Sequence, residues 1–496
     1  MAFSRRHLVK GAIAAPVLGA AFLEAQARAP SVSDRVDPDS VAFLSEQLAA
    51  FAAKLRFDDL PDVVVKSVQR SIMDAVGVSL AASGLEPVCR PFIELARTLA
   101  GQGRAHVLGC NFTAPAAYAA LANGAMAHAL DYEDVHEPSS THPNAAPVAA
   151  ALALAEELGN VDGKRLIAAV AAGSEVAIRL ALARTDDWTR HGWYLPPIVG
   201  AFGAAATAAN LLGLDAKQTL AAFSLTLCQS SCSAEILHSP AADIRAIRDG
   251  FAAQAGVVSA QLARNGVTGF DRPIEGKAGF YTMFARGLYR PEVVIDGLGA
   301  RFHNADIAFK AWPSCRGTHL YVQAAIDLHR AGLTDPAEII CTITPRNAEL
   351  CTPEKQQPVS AIDAKFSIPF SVATALRTGE VTLASFSAAA LADPATLALA
   401  ARVRPVFDAE RARPVSAGGG TVVEVVMSNG MRHRRSVQHL RGSVEDPMSD
   451  RELRDKFLDC ALMSASRPRR QRLEQLADAL QSLRAVKDVR SLLVNV

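Results

Sequence analysis

Over residues 41–288 apolar side chains recur at spacings of three and four, rich in Ala and Leu and punctuated by Gly and Pro, which is the pattern of stacked helices burying one face. The stretches 145–158, 163–182 and 200–212 carry so many small residues that helix axes are expected to approach closely in a compact all-helical core. Near Arg301 the texture changes. Residues 338–344 read as a strand, and 422–427, Ser428-Asn429-Gly430 and 431–437 read as a hairpin, with Asn-Gly supplying the positive φ angles of a type I′ turn. Helical stretches at 318–331 and 367–377 lie between them, so this region is expected to form a small α+β domain. From residue 450 the amphipathic pattern returns (450–464 and 467–484), which suggests that the mixed domain is inserted in, or caps, the helical one. The expected fold class is mainly α: an all-helical domain from 38–300 and 447–496, and a smaller α+β lid domain from 301–446.

The first 29 residues read differently. Ser4-Arg5-Arg6-His7-Leu8-Val9-Lys10 has the form of a twin-arginine export motif, followed by an apolar run over 11–23 and by Ala25-Gln26-Ala27 or Ala27-Arg28-Ala29 as small-x-small cleavage sites. An amphipathic first helix or an anchor is the alternative, but the run is shorter than the ~20 residues of a spanning helix. The expectation is folding inside, export by the twin-arginine route and work in a periplasm-like space. No later segment reads as transmembrane, because Gly, Pro or charge breaks the Ala-rich runs.

At 496 residues the chain exceeds the size at which one core keeps growing, so two domains are expected. Lys plus Arg (51) nearly cancels Asp plus Glu (50), and half of the residues are apolar. That balance argues against disorder, nucleic acid or an anionic membrane surface as partner, and leaves small metabolites. Eight cysteines show no paired CxxC spacing and hence no zinc signature. Cys228 and Cys232 stand one helical turn apart and suit a buried helix face. No glycine-rich phosphate loop follows a strand; Gly418-Gly419-Gly420 lacks a following Lys and reads as a flexible loop.

The densest polar cluster is His128-Ala-Leu-Asp131-Tyr-Glu133-Asp134-Val-His136-Glu137, followed by His142-Pro143. On a continuous helix His128, Asp131 and Val135 would share one face. Pro138 disfavours helix for its predecessor, so 137–140 is expected to loop and to leave His142 in an extended turn ahead of the helix at 145. A histidine held beside a carboxylate that orients its ring is a candidate general base. Two other readings stand beside that one: a helix cap with a solvated acidic face, and a metal site.

The stretch from Asn123-Gly124 through His128, Asp131 and Asp134 to His142-Pro143 and Glu156-Glu157-Leu-Gly159 resembles the MmgE/PrpD family. The same order of landmarks continues in Asp74-Ala-Val-Gly77, Gly200-Ala-Phe-Gly203, Phe309-Lys310-Ala-Trp-Pro-Ser-Cys315 with His319, and Phe366-Ser-Ile-Pro-Phe370. The resemblance implies a helical domain and an α+β lid with the active site between them, a homodimer, and no metal or organic cofactor. It also implies chemistry that moves a proton next to a carboxylate of a small di- or tricarboxylic acid and then eliminates water, loses carbon dioxide or inverts a centre. Carried over position by position, His142 would be the base or acid, Asp131 would orient it or help protonate, and Lys310 and His319 would face substrate from the lid.

Four positions depart from the family pattern: Val135 stands for Thr, Tyr194 for His, Arg245 for Lys and Phe370 for Tyr. Tyr194 can still donate a proton, and Arg245 can grip a carboxylate in a planar fork although it cannot act as an acid or base. Phe370 is expected to leave an apolar wall. His136, His191 and Arg248 lie nearby in sequence and are candidates to compensate. The resulting expectation is a dehydratase-like lyase or an isomerase; the alternative is a catalytically silent carboxylate-binding protein of the periplasm.

Overall fold

The computed structural model describes residues 35–41, 43–239, 242–408 and 421–494. The expected export leader and the 418–420 glycine run lie outside these residues. The fold is 58% helical with six short strands among the described residues, which is the mainly α class expected.

Helix Leu195–Leu212 lies at the centre of the large unit, packed between helices Gly163–Leu182 and Asp249–Arg264. It begins with prolines in its first turn and ends at Gly213 in the left-handed conformation, the two terminators that suit helix starts and stops. Contrary to the expectation from the sequence, this helix is long and apolar enough to cross a membrane. Its length is 89% buried by its neighbours, so its apolar surface is spent in the core of the fold.

A second close crossing positions the candidate site. A Cβ on Gly250 would stand 2.5 Å from the Leu121 carbonyl oxygen, and one on Gly124 would stand 2.8 Å from that of Asp249. Helices Ala116–Ala129 and Asp249–Arg264 therefore touch backbone to backbone. His128, on the last turn of the first, is thereby laid against Arg248 and Asp249 at the start of the second.

The smaller unit is a four-stranded sheet covered by helix His319–Arg330, with helix Ile368–Thr378 packed against that helix. Its strands are β3 (Glu338–Ile343), β4 (Val403–Phe407), β5 (Thr421–Val426) and β6 (Arg432–Val437), in the order β4-β3-β5-β6; β1 (Ala105–His106) and β2 (Thr113–Ala114) form a separate small ribbon. β3 runs parallel to β4 and antiparallel to β5, and its Ile339, Cys341 and Ile343 point into the lid core. β4 was not legible in the sequence: it is an edge strand, carries Pro405, and lacks a regular alternation of buried positions. The hairpin between β5 and β6 forms, with a different turn. Met427 N donates to Met431 O at 2.8 Å across a three-residue loop in which Gly430 (φ 83°) takes the positive φ and Asn429 does not.

Helices Asp450–Ala461 and Arg470–Gln481 return to pack on helix Asp62–Leu85, with Phe457 seated against Gly77. The first is fixed by a capping box between Ser449 and Glu452. Cys228 and Cys232 do not share a helix face: Cys228 is exposed at the end of helix Ala216–Leu227 and Cys232 lies in the loop beyond it. All eight cysteines are free thiols.

Candidate active site

Helix Ala116–Ala129 stops short of the acidic run, so the single helical face expected for His128, Asp131 and Val135 does not exist. Asp131 instead takes a left-handed φ of 49°, a conformation that Asp tolerates better than most residues. That turn throws its carboxylate toward Lys310. Lys310 Nζ donates to Asp131 Oδ1 at 2.7 Å and to the Asp131 carbonyl at 2.8 Å, with both side chains buried. Val135 supplies the register: its N–H and C=O pair with those of Ala308 at 2.8 Å each, two residues before Lys310.

His128, Glu133 and His142 close the cluster. His128 Nδ1 bonds Glu133 Oε1 in a short contact, and its Nε2 faces Arg248 Nη1. A carboxylate oxygen only accepts and a guanidinium only donates, so His128 is neutral, with its proton on Nδ1. Burial, followed by the Arg248 charge, lowers its pKa and agrees with that state. His142 Nδ1 donates to the Asp134 carbonyl at 3.0 Å and lies 2.9 Å from Glu133 Oε1. A carbonyl can only accept, so the proton of neutral His142 sits on Nδ1 and the lone pair on Nε2. Of the four clustered residues His142 alone is partly exposed, at 15% of its side chain. Its free nitrogen is the accessible one for chemistry.

Electrostatics keep the two nearest carboxylates ionised. Burial pushes the Glu133 pKa up, but the Nδ1–H donor of His128 and the Lys310 charge hold it well below the ordinary value. Asp131 behaves likewise: burial raises it, and Lys310 leads the opposing groups that bring it down. Beneath them lies a second buried layer, where Lys456 Nζ meets Asp74 Oδ1 at 2.7 Å and donates to the carbonyls of Tyr132 and Lys310. Asp134 sits in that layer with its pKa raised to about 7, by burial first and by Asp74 second.

Arg245 and Tyr194 flank the cluster. Arg245 stacks its guanidinium 3.6 Å above the ring of Phe366 from the lid, and no ion pair engages it among the described residues. Arg248 bonds the Arg245 carbonyl and lies 5.2 Å from the Tyr194 ring centroid. Burial raises the Tyr194 pKa, so this phenol is a proton donor at neutral pH and not a base. Several polar atoms here are buried without a hydrogen-bond partner in the protein: Asp131 Oδ2, Glu133 Oε2, Asp249 Oδ2, Arg245 Nε and Arg248 Nε. Such groups are what a polar, multiply charged ligand would satisfy.

Four residues singled out from the sequence take other places. His319 is fully buried, its Nε2 donating to the Ser314 carbonyl at 3.1 Å and its Nδ1 accepting from Arg316, so it is a satisfied core histidine that does not face the cleft. His136 is buried against Ser139 and His303 and is not joined to the cluster. Phe370 packs with Phe386 inside the lid core, and the apolar wall beside Arg245 is Phe366. His191 pairs with Asp186. Glu133 and Arg248, to which sequence reasoning gave no principal role, complete the site.

By type and distance the four residues His128, Asp131, Glu133 and His142 are a candidate metal group, with donor atoms within 4.8 Å of one another. Lys310 already supplies a cation to Asp131, and the Nδ1 atoms of both histidines are committed to oxygen acceptors. A cavity of about 730 Å³ lies elsewhere, between the lid and helix Asp450–Ala461, and shares only Tyr132 and Lys456 with the layer below the site. Volume alone does not outweigh the converging charges and the poised imidazole of the cluster.

A helical unit and a mixed α/β unit meeting at a buried His–carboxylate–Lys cluster define a scaffold for acid–base chemistry on an anionic ligand. The chain belongs to the MmgE/PrpD family: residues 46–291 match the MmgE/PrpD N-terminal domain and residues 312–482 the MmgE/PrpD C-terminal domain. It is similar to the cis-aconitate decarboxylase of Mus musculus, at 25% identity over 84% of this chain and 86% of that protein. The cis-aconitate decarboxylase of Aspergillus terreus (strain NIH 2624 / FGSC A1156) is 24% identical over 92% of this chain and 96% of its own length. The human cis-aconitate decarboxylase is 25% identical over 84% and 87%.

Proposed function

We propose that the chain is a lyase acting on a small di- or tricarboxylic acid, with His142 moving a proton at the carbon next to a carboxylate. The observation that carries this reading is the fixed tautomer of His142. Nδ1 is tied to the Asp134 carbonyl beside Glu133, so Nε2 presents a lone pair to the one accessible side of the cluster. Proton removal leaves negative charge on the substrate carboxylate, which Lys310, Arg245 and Arg248 surround with cations and donors. Tyr194 supplies a proton to a leaving oxygen or to a carbanion. Elimination of water needs the Nε2 lone pair as base first, whereas loss of carbon dioxide leaves a carbanion that takes a proton from Tyr194 or from His142 already protonated on Nε2. The relatives named cis-aconitate decarboxylase favour a lyase over an isomerase. The four departures, Val135, Tyr194, Arg245 and Phe370, favour an acid other than cis-aconitate.

The twin-arginine-like leader supports action in a periplasm-like compartment. Membership of the MmgE/PrpD family is what supports a homodimer. The test is a panel of di- and tricarboxylates screened by thermal shift, followed by proton NMR in deuterated water. A turned-over acid should gain deuterium at the carbon next to its carboxylate. Binding without any exchange or product would favour a carrier instead.

A further inference from the structure

Beyond the catalytic cluster, the same two chain segments carry a second set of donors. His136 offers one nitrogen, His303 another and Asp306 a carboxylate oxygen, and the three atoms lie within 4.8 Å of one another. We propose that His136, His303 and Asp306 form a site for a divalent transition metal such as Zn²⁺, separate from the chemistry at His142.

Four observations support the assignment. First, His136 is 1% exposed, and its Nε2 is buried without a hydrogen-bond partner, which is costly for an imidazole nitrogen unless something binds it. Second, the other nitrogen, Nδ1, faces Ser139, 2.8 Å from Oγ and 3.3 Å from the backbone N–H that donates to it, so ligation by Nε2 moves the ring proton to Nδ1, where Ser139 Oγ accepts it as the outer hydrogen bond that orients a ligating histidine. Third, the donors rest on braced backbone. The bridges Val135–Ala308 and His136–Thr141 hold one side, and on the other Asn304, between the two ligands, bonds the Ala171 carbonyl at 3.0 Å and Glu175 at 3.2 Å. Fourth, His303 and Asp306 are partly exposed, which gives an ion a way in.

The donor set decides the class of ion. Two imidazoles and one carboxylate suit Zn²⁺, Co²⁺ or Ni²⁺ and are a poor match for Mg²⁺ or Ca²⁺, which prefer oxygen. Ligands about 2 Å from a shared ion sit closer together than 4.8 Å, so the set must contract. Asp306, near the surface, can supply that movement by rotating its side chain. Arg179 and then Arg301 act on His303, Arg301 also acts on Asp306, and the Asp296 and Glu445 carboxylates offset part of that positive charge. A bound ion would tie the 136–141 loop to the 303–308 segment. It would thus brace the junction that holds Lys310 against Asp131, stabilising the fold without touching substrate.

The experiment uses the full chain, stripped with chelator and titrated with Zn²⁺ by calorimetry and with Co²⁺ by visible absorption. One ion per chain should bind, and Zn²⁺ should raise the melting temperature. His303→Ala and Asp306→Asn, both at partly exposed positions, should each weaken Zn²⁺ binding by at least about tenfold and abolish the thermal gain. His142→Ala should bind Zn²⁺ as the wild type does. Absence of saturable Zn²⁺ binding by the wild type, or wild-type affinity in both His303→Ala and Asp306→Asn, would overturn the assignment. So would loss of binding in His142→Ala instead, which would move the ion to the catalytic cluster.

Discussion

His128 and His142 turn the same ring nitrogen, Nδ1, toward one oxygen, Oε1 of Glu133. The carboxylate therefore orients both rings, one fully buried and the other partly exposed, and the proposed reading makes the exposed one the base. His142→Ala should lower the rate of deuterium exchange by about 10²–10⁴-fold, with little change in melting temperature because the side chain is partly exposed. Glu133→Gln should reduce kcat with KM nearly unchanged, since it acts through the orientation of His142. Full exchange activity in His142→Ala would remove it as the base.

Much of the architecture is legible in the chain, and the reasons are local. Helices 145–158 and 163–182 appear at the residues the periodicity marks, because three-and-four spacing is a direct imprint of burial on one face. The region around Asp131 is harder. Nothing in Ala129-Leu130-Asp131 signals a stop, yet the helix ends there, and the left-handed Asp131 brings Glu133 back under His128. Glu133 could be found only by knowing that turn. Lys310 and Asp131 were legible as site residues, but their pairing rests on the Val135–Ala308 bridge, a tertiary contact across more than half of the large unit. His319 misled for the opposite reason: a histidine opening a helix looks available, and only the packing of Ser314 and Arg316 around both nitrogens shows that it is occupied.

The Lys310–Asp131 pair is fully buried, so removing either partner strands a charge. Lys310→Met and Asp131→Asn should each destabilise the fold by about 3–5 kcal/mol, read from urea midpoints. The double variant should recover much of that loss, because no charge is left unpaired, while remaining inactive. Equal additive losses would show that the two side chains do not depend on each other.

Arg245 stands outside every ion pair among the described residues and rests on Phe366 of the lid. On the proposed reading it holds substrate, so Arg245→Ala should raise KM by at least about tenfold, the scale of a lost charged hydrogen bond, with the melting temperature unchanged. Phe366→Leu should give a smaller rise in KM by loosening the stacked guanidinium. An unchanged KM in Arg245→Ala would place the carboxylate grip on Lys310 and Arg248 alone.

Asp134 gives the protein a dependence on pH that is separate from catalysis. Its folded pKa is raised to about 7 by burial and by Asp74, against an ordinary 3.8. Between those two values the folded chain holds a proton that the unfolded chain has released, so the contribution of this group to stability falls as pH rises through the window and is gone above about 7. About three pH units at 1.36 kcal/mol each set an upper figure of about 4 kcal/mol. Asp134→Asn keeps the size of the side chain and an oxygen for Asn144 Nδ2, now 2.7 Å from Asp134 Oδ2, but cannot ionise. Melting curves from pH 4 to 8 should therefore show the wild type losing ground steadily to the variant, with the variant the more stable at pH 8. Parallel curves for the two proteins would mean that Asp134 stays ionised in the fold and that the buried layer around Asp74 and Lys456 takes its charge without cost.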